Sequence, residues 1–265
     1  MMKKALQIGN GIALITTIFI NYLSNTGLMN NSTIGEISAN LRTLFTPAGY
    51  AFSIWGIIYL LLLGFGFYQG RSLFVKVHDD KFVTRIGVWF ILSCIANCSW
   101  IVSWVYGYTG LSCVIIFMLL FSLLKIVWNN RMELWDAPFP VILLLWWPFV
   151  IYSGWVTVAS IVNVASYLVE INWDGFGLSP VIWTVIMIFV ATLINLIITW
   201  NRNMREFALV GAWSLIAIGV ENKNNIITYV AFVTAGILLV SCGLHSFKGK
   251  DTNPYLKYLK FRSGK

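Results

Sequence analysis

Charge is what this chain has least of. Only 11% of its 265 residues are charged, against about 25% in a typical soluble domain. With 58% hydrophobic residues and a mean hydropathy of +0.79, the chain could not cover its own surface in water. That shortage excludes a soluble enzyme, a disordered tail and a secreted disulfide scaffold. What little ionisable chemistry exists stays out of the apolar runs. The ten acids (Glu36, Asp79, Asp80, Glu133, Asp136, Glu170, Asp174, Glu206, Glu221 and Asp251) fall in loops or at run ends, as do His78 and His245. Buried ionisable groups are where proton relays and metal clusters are built. None is evident here, so a proton-coupled antiporter or an intramembrane metalloenzyme is disfavoured and no catalytic residue is assigned. No run has a central lysine, since Lys125 sits near an end, so a retinal Schiff base has no candidate. No glycine loop of the phosphate-cradling type is present. The four cysteines, Cys94, Cys98, Cys113 and Cys242, lie inside apolar runs. They imply no disulfide framework, and two thiols four apart without a histidine or carboxylate make a poor zinc site.

What is present is length and apolarity. A span needs about 20 mostly apolar residues to cross about 30 Å of hydrocarbon. Eight stretches qualify, near 5–24, 50–69, 86–106, 109–128, 142–168, 180–200, 205–221 and 226–246. The seventh is short and starts among charges. The expected fold class is therefore an all-α polytopic membrane protein of about eight transmembrane helices. Spans three and four are separated by the turn around Gly107 and Gly110 and should form a tight hairpin. Placing the N-terminus in the cytoplasm puts all but Arg42 and Lys223 of the 18 basic residues inside, as the positive-inside rule requires. Both termini are then cytoplasmic. The net charge of +8 reads as topology and attraction to anionic lipid, not as a nucleic-acid footprint. The N-terminal run after Lys3 and Lys4 lacks a small-x-small cleavage site, so an uncleaved first span is expected. The loop at 25–49 is long and polar, and should cap the bundle as a lid.

Thirteen tryptophans exceed what aromatic belts at the membrane surfaces need. Trp135, Trp146, Trp147, Trp173 and Trp200 lie near span ends and suit belts or packing. Trp55, Trp100 and Trp155 lie deeper. Tyr59 follows Trp55 by four residues and Trp104 follows Trp100 by four, so each pair shares a helix face. The interior polar groups Asn97, Ser99, Ser103, Ser153, Thr157, Ser160, Asn163 and Asn195 are neutral, and serve as helix–helix glue or as ligand donors.

Three segments carry a family resemblance. Residues 47–59 read P-A-G-Y-A-F-S-I-W-G-I-I-Y, residues 97–100 read N-C-S-W, and residues 155–163 read W-V-T-V-A-S-I-V-N. On spans two, three and five, in that order, they resemble the signatures of the TspO/MBR family of bacterial tryptophan-rich sensory proteins and mitochondrial translocator proteins. The resemblance covers residues 5–168. It implies a five-helix bundle over 1–168, followed by three additional transmembrane helices over 169–246 and a basic tail over 247–265. Tyr50 stands where the family has tryptophan, Ala48 where it has proline, and the spacing from Phe52 to Trp55 is one residue shorter. The proline expected soon after Trp100 is absent.

The resemblance further implies a pocket closed by the first loop, for tetrapyrroles such as protoporphyrin or haem, or for sterol-like molecules. Carried over by position, its ligand-binding candidates are Tyr50, Phe52, Trp55, Asn97, Trp100, Trp155, Ala159 and Asn163. Flat aromatic ligands want stacking faces and a few neutral donors, which these residues supply. A tetrapyrrole is then a ligand, with no metal site among these residues. The expected partners are the lipid bilayer, a hydrophobic small molecule and, as oligomeric state, a homodimer; nucleic acid is not among them. The leading expectation is a binding or sensor protein in a bacterial inner membrane. A small-molecule permease and a structural or interaction subunit are the alternatives.

Overall fold

The computed structural model describes residues 2–77, 80–249 and 254–263. His78, Asp79, Lys250, Asp251 and Lys265, used above in the charge pattern, lie outside the described residues, as does Met1. The described residues form helices joined by turns, with no strand among them. The protein is an all-α polytopic membrane protein.

The first span is α1 (Met2–Leu23) and the short α2 (Ile34–Asn40) sits in the loop that follows. The second span opens with a tight 3₁₀ turn at Gly49–Ser53 and continues as α3 (Ile54–Gly70). A short α4 (Phe82–Ile86) precedes α5 (Trp89–Val105), and Gly87, at φ +55°, turns the chain between them. Then come α6 (Thr109–Asn129) and one long continuous helix made of α7 (Phe139–Val141), a π turn at Ile142–Trp146 and α8 (Trp147–Glu170). The π turn lies just before Pro148, whose missing N–H breaks the regular ladder. The remaining helices are α9 (Pro180–Arg202), α10 (Arg205–Glu221), α11 (Asn225–Lys248) and α12 (Pro254–Arg262).

Six of these segments are long and apolar enough to cross a membrane. The other two, α5 and α10, have 17 residues each and reach about 26 Å at 1.5 Å per residue. The weak apolarity of α10 has a structural reason. It is the most enclosed of the C-terminal helices, with Ala208, Gly211, Ala212, Ser214, Ala217 and Gly219 all buried. Small residues at helix contacts let backbones approach closely, so α10 presents packing surface where the others present apolar side chains to lipid.

Contacts at the two ends show α1, α3, α5, α6, α8, α9, α10 and α11 running alternately up and down. At one end Lys3 pairs with Asp80 at 2.5 Å, Asn129 donates to the Arg85 carbonyl at 3.1 Å, Asn203 donates to the Glu133 carbonyl at 2.9 Å, and Lys257 pairs with Asp136. At the other end Asn30 donates to the Val105 carbonyl at 3.0 Å, Thr109 bonds Glu170, and Arg42 pairs with Glu221. The basic loops thus share one end and the long polar loop lies at the opposite one.

Not every charge near a span end reaches water. Glu133 and Arg205 are each 4% exposed, and His245 is 7% exposed against Trp200. Burial, with Glu206 beside it, pushes the Glu133 carboxyl up to about 9 against the pull of Arg205.

Candidate functional site: an aromatic cavity under a helical lid

The site begins with the segment between residues 24 and 54. Thr33 caps α2 with a full capping box, its hydroxyl accepting from the Glu36 N–H while the Glu36 carboxylate accepts from the Thr33 N–H. That local chemistry makes a helix of a seven-residue polar stretch. The helix is then tied across the bundle. Trp104 Nε1 donates to the Ile34 carbonyl at 3.4 Å, and Ser166 Oγ donates to the Leu41 carbonyl at 3.2 Å. The chain after it is held by α10. Asn222 Nδ2 donates to the Leu44 carbonyl at 2.7 Å, the Ala48 N–H donates to the Ala217 carbonyl at 3.1 Å, and Trp213 Nε1 donates to the Ala51 carbonyl at 3.3 Å.

Beneath α2 is a cavity with about 30 Å³ of open space, room for a water or two. Ile34, Ser38 and Pro47 roof it. Phe52 and Trp55 come from the second span, Trp100 and Trp104 from α5, and Trp155, Val158, Ala159, Val162 and Asn163 from α8. The rings interlock. Trp155 meets Phe52 edge-on at 5.8 Å and Trp55 edge-on at 6.2 Å. Trp100 stacks on Trp104 at 6.2 Å and lies 6.5 Å from Trp55, while Tyr59 stacks on Trp55 at 5.5 Å. Edge-on and offset pairs of this kind contribute about 0.5–1.5 kcal/mol each beyond their buried area.

Of the eight positions singled out in the sequence, six therefore meet at one place: Phe52, Trp55, Trp100, Trp155, Ala159 and Asn163. Two do not line the cavity. Tyr50 is 42% exposed and packs edge-on against Trp213 of α10 at 5.2 Å. It lies in the Gly49–Ser53 turn, where 3₁₀ winding replaces the α-helical phase expected from residue 50 onward. Asn97 is fully buried one layer below, accepting from Asn21 Nδ2 at 2.8 Å and donating to the Tyr152 hydroxyl at 2.8 Å. Asn163 is also fully engaged. It accepts from Trp100 Nε1 at 2.7 Å and donates to Ser112 Oγ at 2.7 Å. The two asparagines act as glue between helices in this closed arrangement. Trp155 differs: it is 2% exposed and its indole N–H has no acceptor. A buried donor beside open space is a place for an acceptor from outside the chain. Trp104, Ile34 and Ser38 are lining residues outside the eight ligand-binding candidates. The signal for Trp104 was its position one turn after Trp100; for α2 there was only the capping box.

The chain matches the family of TSPO-like proteins over residues 7–244. It belongs to that family. The matched stretch begins inside α1 and runs past residue 168 through α9 and α10 and most of α11, so the TSPO-like region takes in these three C-terminal helices as well as the N-terminal helices, among which the motifs lie. No curated protein and no solved structure matches the chain.

Proposed function

We propose that this TSPO-like protein binds a flat hydrophobic molecule of the porphyrin, haem or sterol type in the aromatic cavity beneath α2. The observation that carries the reading is the Trp155 indole N–H, buried without an acceptor where four tryptophans converge. The ligand would slide between ring faces and give that N–H a carbonyl or carboxylate oxygen. The cavity as it stands is far below the about 300–1,000 Å³ of a ligand site, so binding requires α2 to lift. The loop that carries it is held by the bonds of Trp104, Ser166, Asn30 and the α10 anchors and by the Arg42–Glu221 pair, and a lid released by exchanging them makes the site a sensor as readily as a store. By the distribution of lysine and arginine, the lid faces away from the cytoplasm and both termini lie inside, in a bacterial inner membrane.

The test is a titration of the purified protein with protoporphyrin and haem, read by tryptophan fluorescence quenching, with Trp155→Ala alongside. Saturable binding that the substitution abolishes supports the reading. Absence of saturable binding, or binding indifferent to Trp155→Ala, rejects it.

A further inference from the structure

The inward face of α1 is mostly polar. Gln7, Asn10, Thr17, Asn21 and Ser24 are all buried, while Ile8, Ile12, Ile15, Phe19 and Tyr22 point outward. From Gln7 to Asn21 this file covers about 21 Å at 1.5 Å per residue, most of the thickness of the hydrocarbon. Its basic end lies beside an exposed cavity of about 580 Å³ lined by Lys3, Ser72, Lys76 and Asp80. Gln7 Nε2 reaches Ser72 Oγ at 2.7 Å, and Asn10 Nδ2 donates to Gln69 Oε1 at 2.9 Å. At the other end the file meets the aromatic site through Asn21, Asn97 and Tyr152, with the Tyr59 hydroxyl beside them.

Glue between helices does not account for all of this. Gln7 Oε1 and Asn10 Oδ1 are buried and have no partner. Polar atoms stranded at membrane depth are tolerated where they line a path for water or solute. The file is interrupted once. Leu14, 3% exposed, is the single apolar side chain between Asn10 and Thr17 on the buried face of α1. It lies against Gly66, where even a Cβ would come within 3.2 Å of Leu14 Cδ2. A hydrophobic constriction in a polar path closes it by excluding water.

We propose that the seam between α1, α3 and α5 is a path for small uncharged solutes that donate hydrogen bonds, of the polyol or urea type, and that Leu14 against Gly66 is its gate. No charged side chain lies between the Lys3–Asp80 pair and Asn21 on this face of α1, so ions find no counter-charge within it. The proposal is independent of the aromatic-site ligand.

The test is shrink–swell light scattering of proteoliposomes carrying the full chain, with glycerol and urea as solutes and protein-free liposomes as baseline. Leu14→Ala is expected to raise solute permeability severalfold over the wild type, and adding Asn10→Leu to return it to the wild-type level. Wild-type flux is expected to exceed the baseline and to fall with Asn10→Leu alone, a comparison that holds should Leu14→Ala fail to fold. A folded Leu14→Ala protein with wild-type flux overturns the proposal, as does a leak that Asn10→Leu leaves unchanged. Where Leu14→Ala does not fold, wild-type flux at the baseline overturns it.

Discussion

The five N-terminal spans and the three C-terminal ones are held together by different means. In the first group Ser122, Ser153, Thr157 and Ser160 bond back on their own helix, but the large amide and aromatic groups also reach across to other helices: Asn21 to Asn97, Asn97 to Tyr152, Trp100 to Asn163, Asn163 to Ser112. In the second, polar side chains mostly fold back on their own helix. Thr184, Thr192, Asn195, Thr199, Ser214 and Thr234 each donate to a carbonyl four residues earlier. There the packing is between small residues, with Gly154 of α8 within 3.1–3.3 Å, measured from a built Cβ, of Phe207 and Val210, and Gly211 tight against Asn195. Close packing of small residues yields a rigid unit. Cross-helix bonds between large aromatic and amide groups, each worth about 0.6 kcal/mol in a membrane, can be exchanged for bonds to a ligand. The C-terminal unit is thus suited to bracing the lid loop, and the N-terminal one to opening around a guest.

Substitutions can break this contrast. The largest effect is expected at Gly211, where a Cβ would come within 2.6–2.7 Å of the Asn195 amide. Gly211→Val should cost about 3 kcal/mol by overpacking, seen as a lower thermal midpoint in detergent. Gly236→Val, with open space around it, should cost little. Next, Trp100→Phe leaves the buried Asn163 oxygen without its donor, a loss of about 1–3 kcal/mol. Thr192→Val removes only a bond within its own helix and should stay within about 0.5 kcal/mol. Equal losses from the two would erase the distinction between the groups.

Glu133 gives an effect of opposite sign. Its carboxyl is raised from an ordinary 4.5 to about 9 in the fold by burial. The folded state favours its neutral form, so its contribution to stability falls as pH rises from about 4.5 to about 9. Glu133→Gln should flatten that decline and stabilise the protein at pH 8, checked by thermal melts across the range. A last effect is at the brace. Asn222→Ala removes the bond to the Leu44 carbonyl, costing about 1 kcal/mol. It should speed both capture and release of protoporphyrin in stopped-flow fluorescence.

The span pattern and the aromatic core were legible in the sequence, because hydropathy, basic-residue placement and the three motifs each act locally. Six of eight site positions converge for that reason. Tyr50 departs because a 3₁₀ turn, invisible in the residue pattern, resets the helical phase before Ile54. The polar face of α1 was not read because averaging over an apolar run hides Gln7, Asn10, Thr17 and Asn21, although their spacings of three, seven and four residues place them on one side. The burial of Glu133 and Arg205 could not be read either, since proximity to a span end says nothing about which helices close over it.

The most direct test of the contrast between brace and binding site is hydrogen–deuterium exchange over the whole chain, with and without saturating protoporphyrin. The account predicts that exchange changes in residues 34–48 and around the aromatic cavity, while the helix centres of α9, α10 and α11 stay as they were. A change centred on those three helices, or none anywhere at saturation, would contradict it.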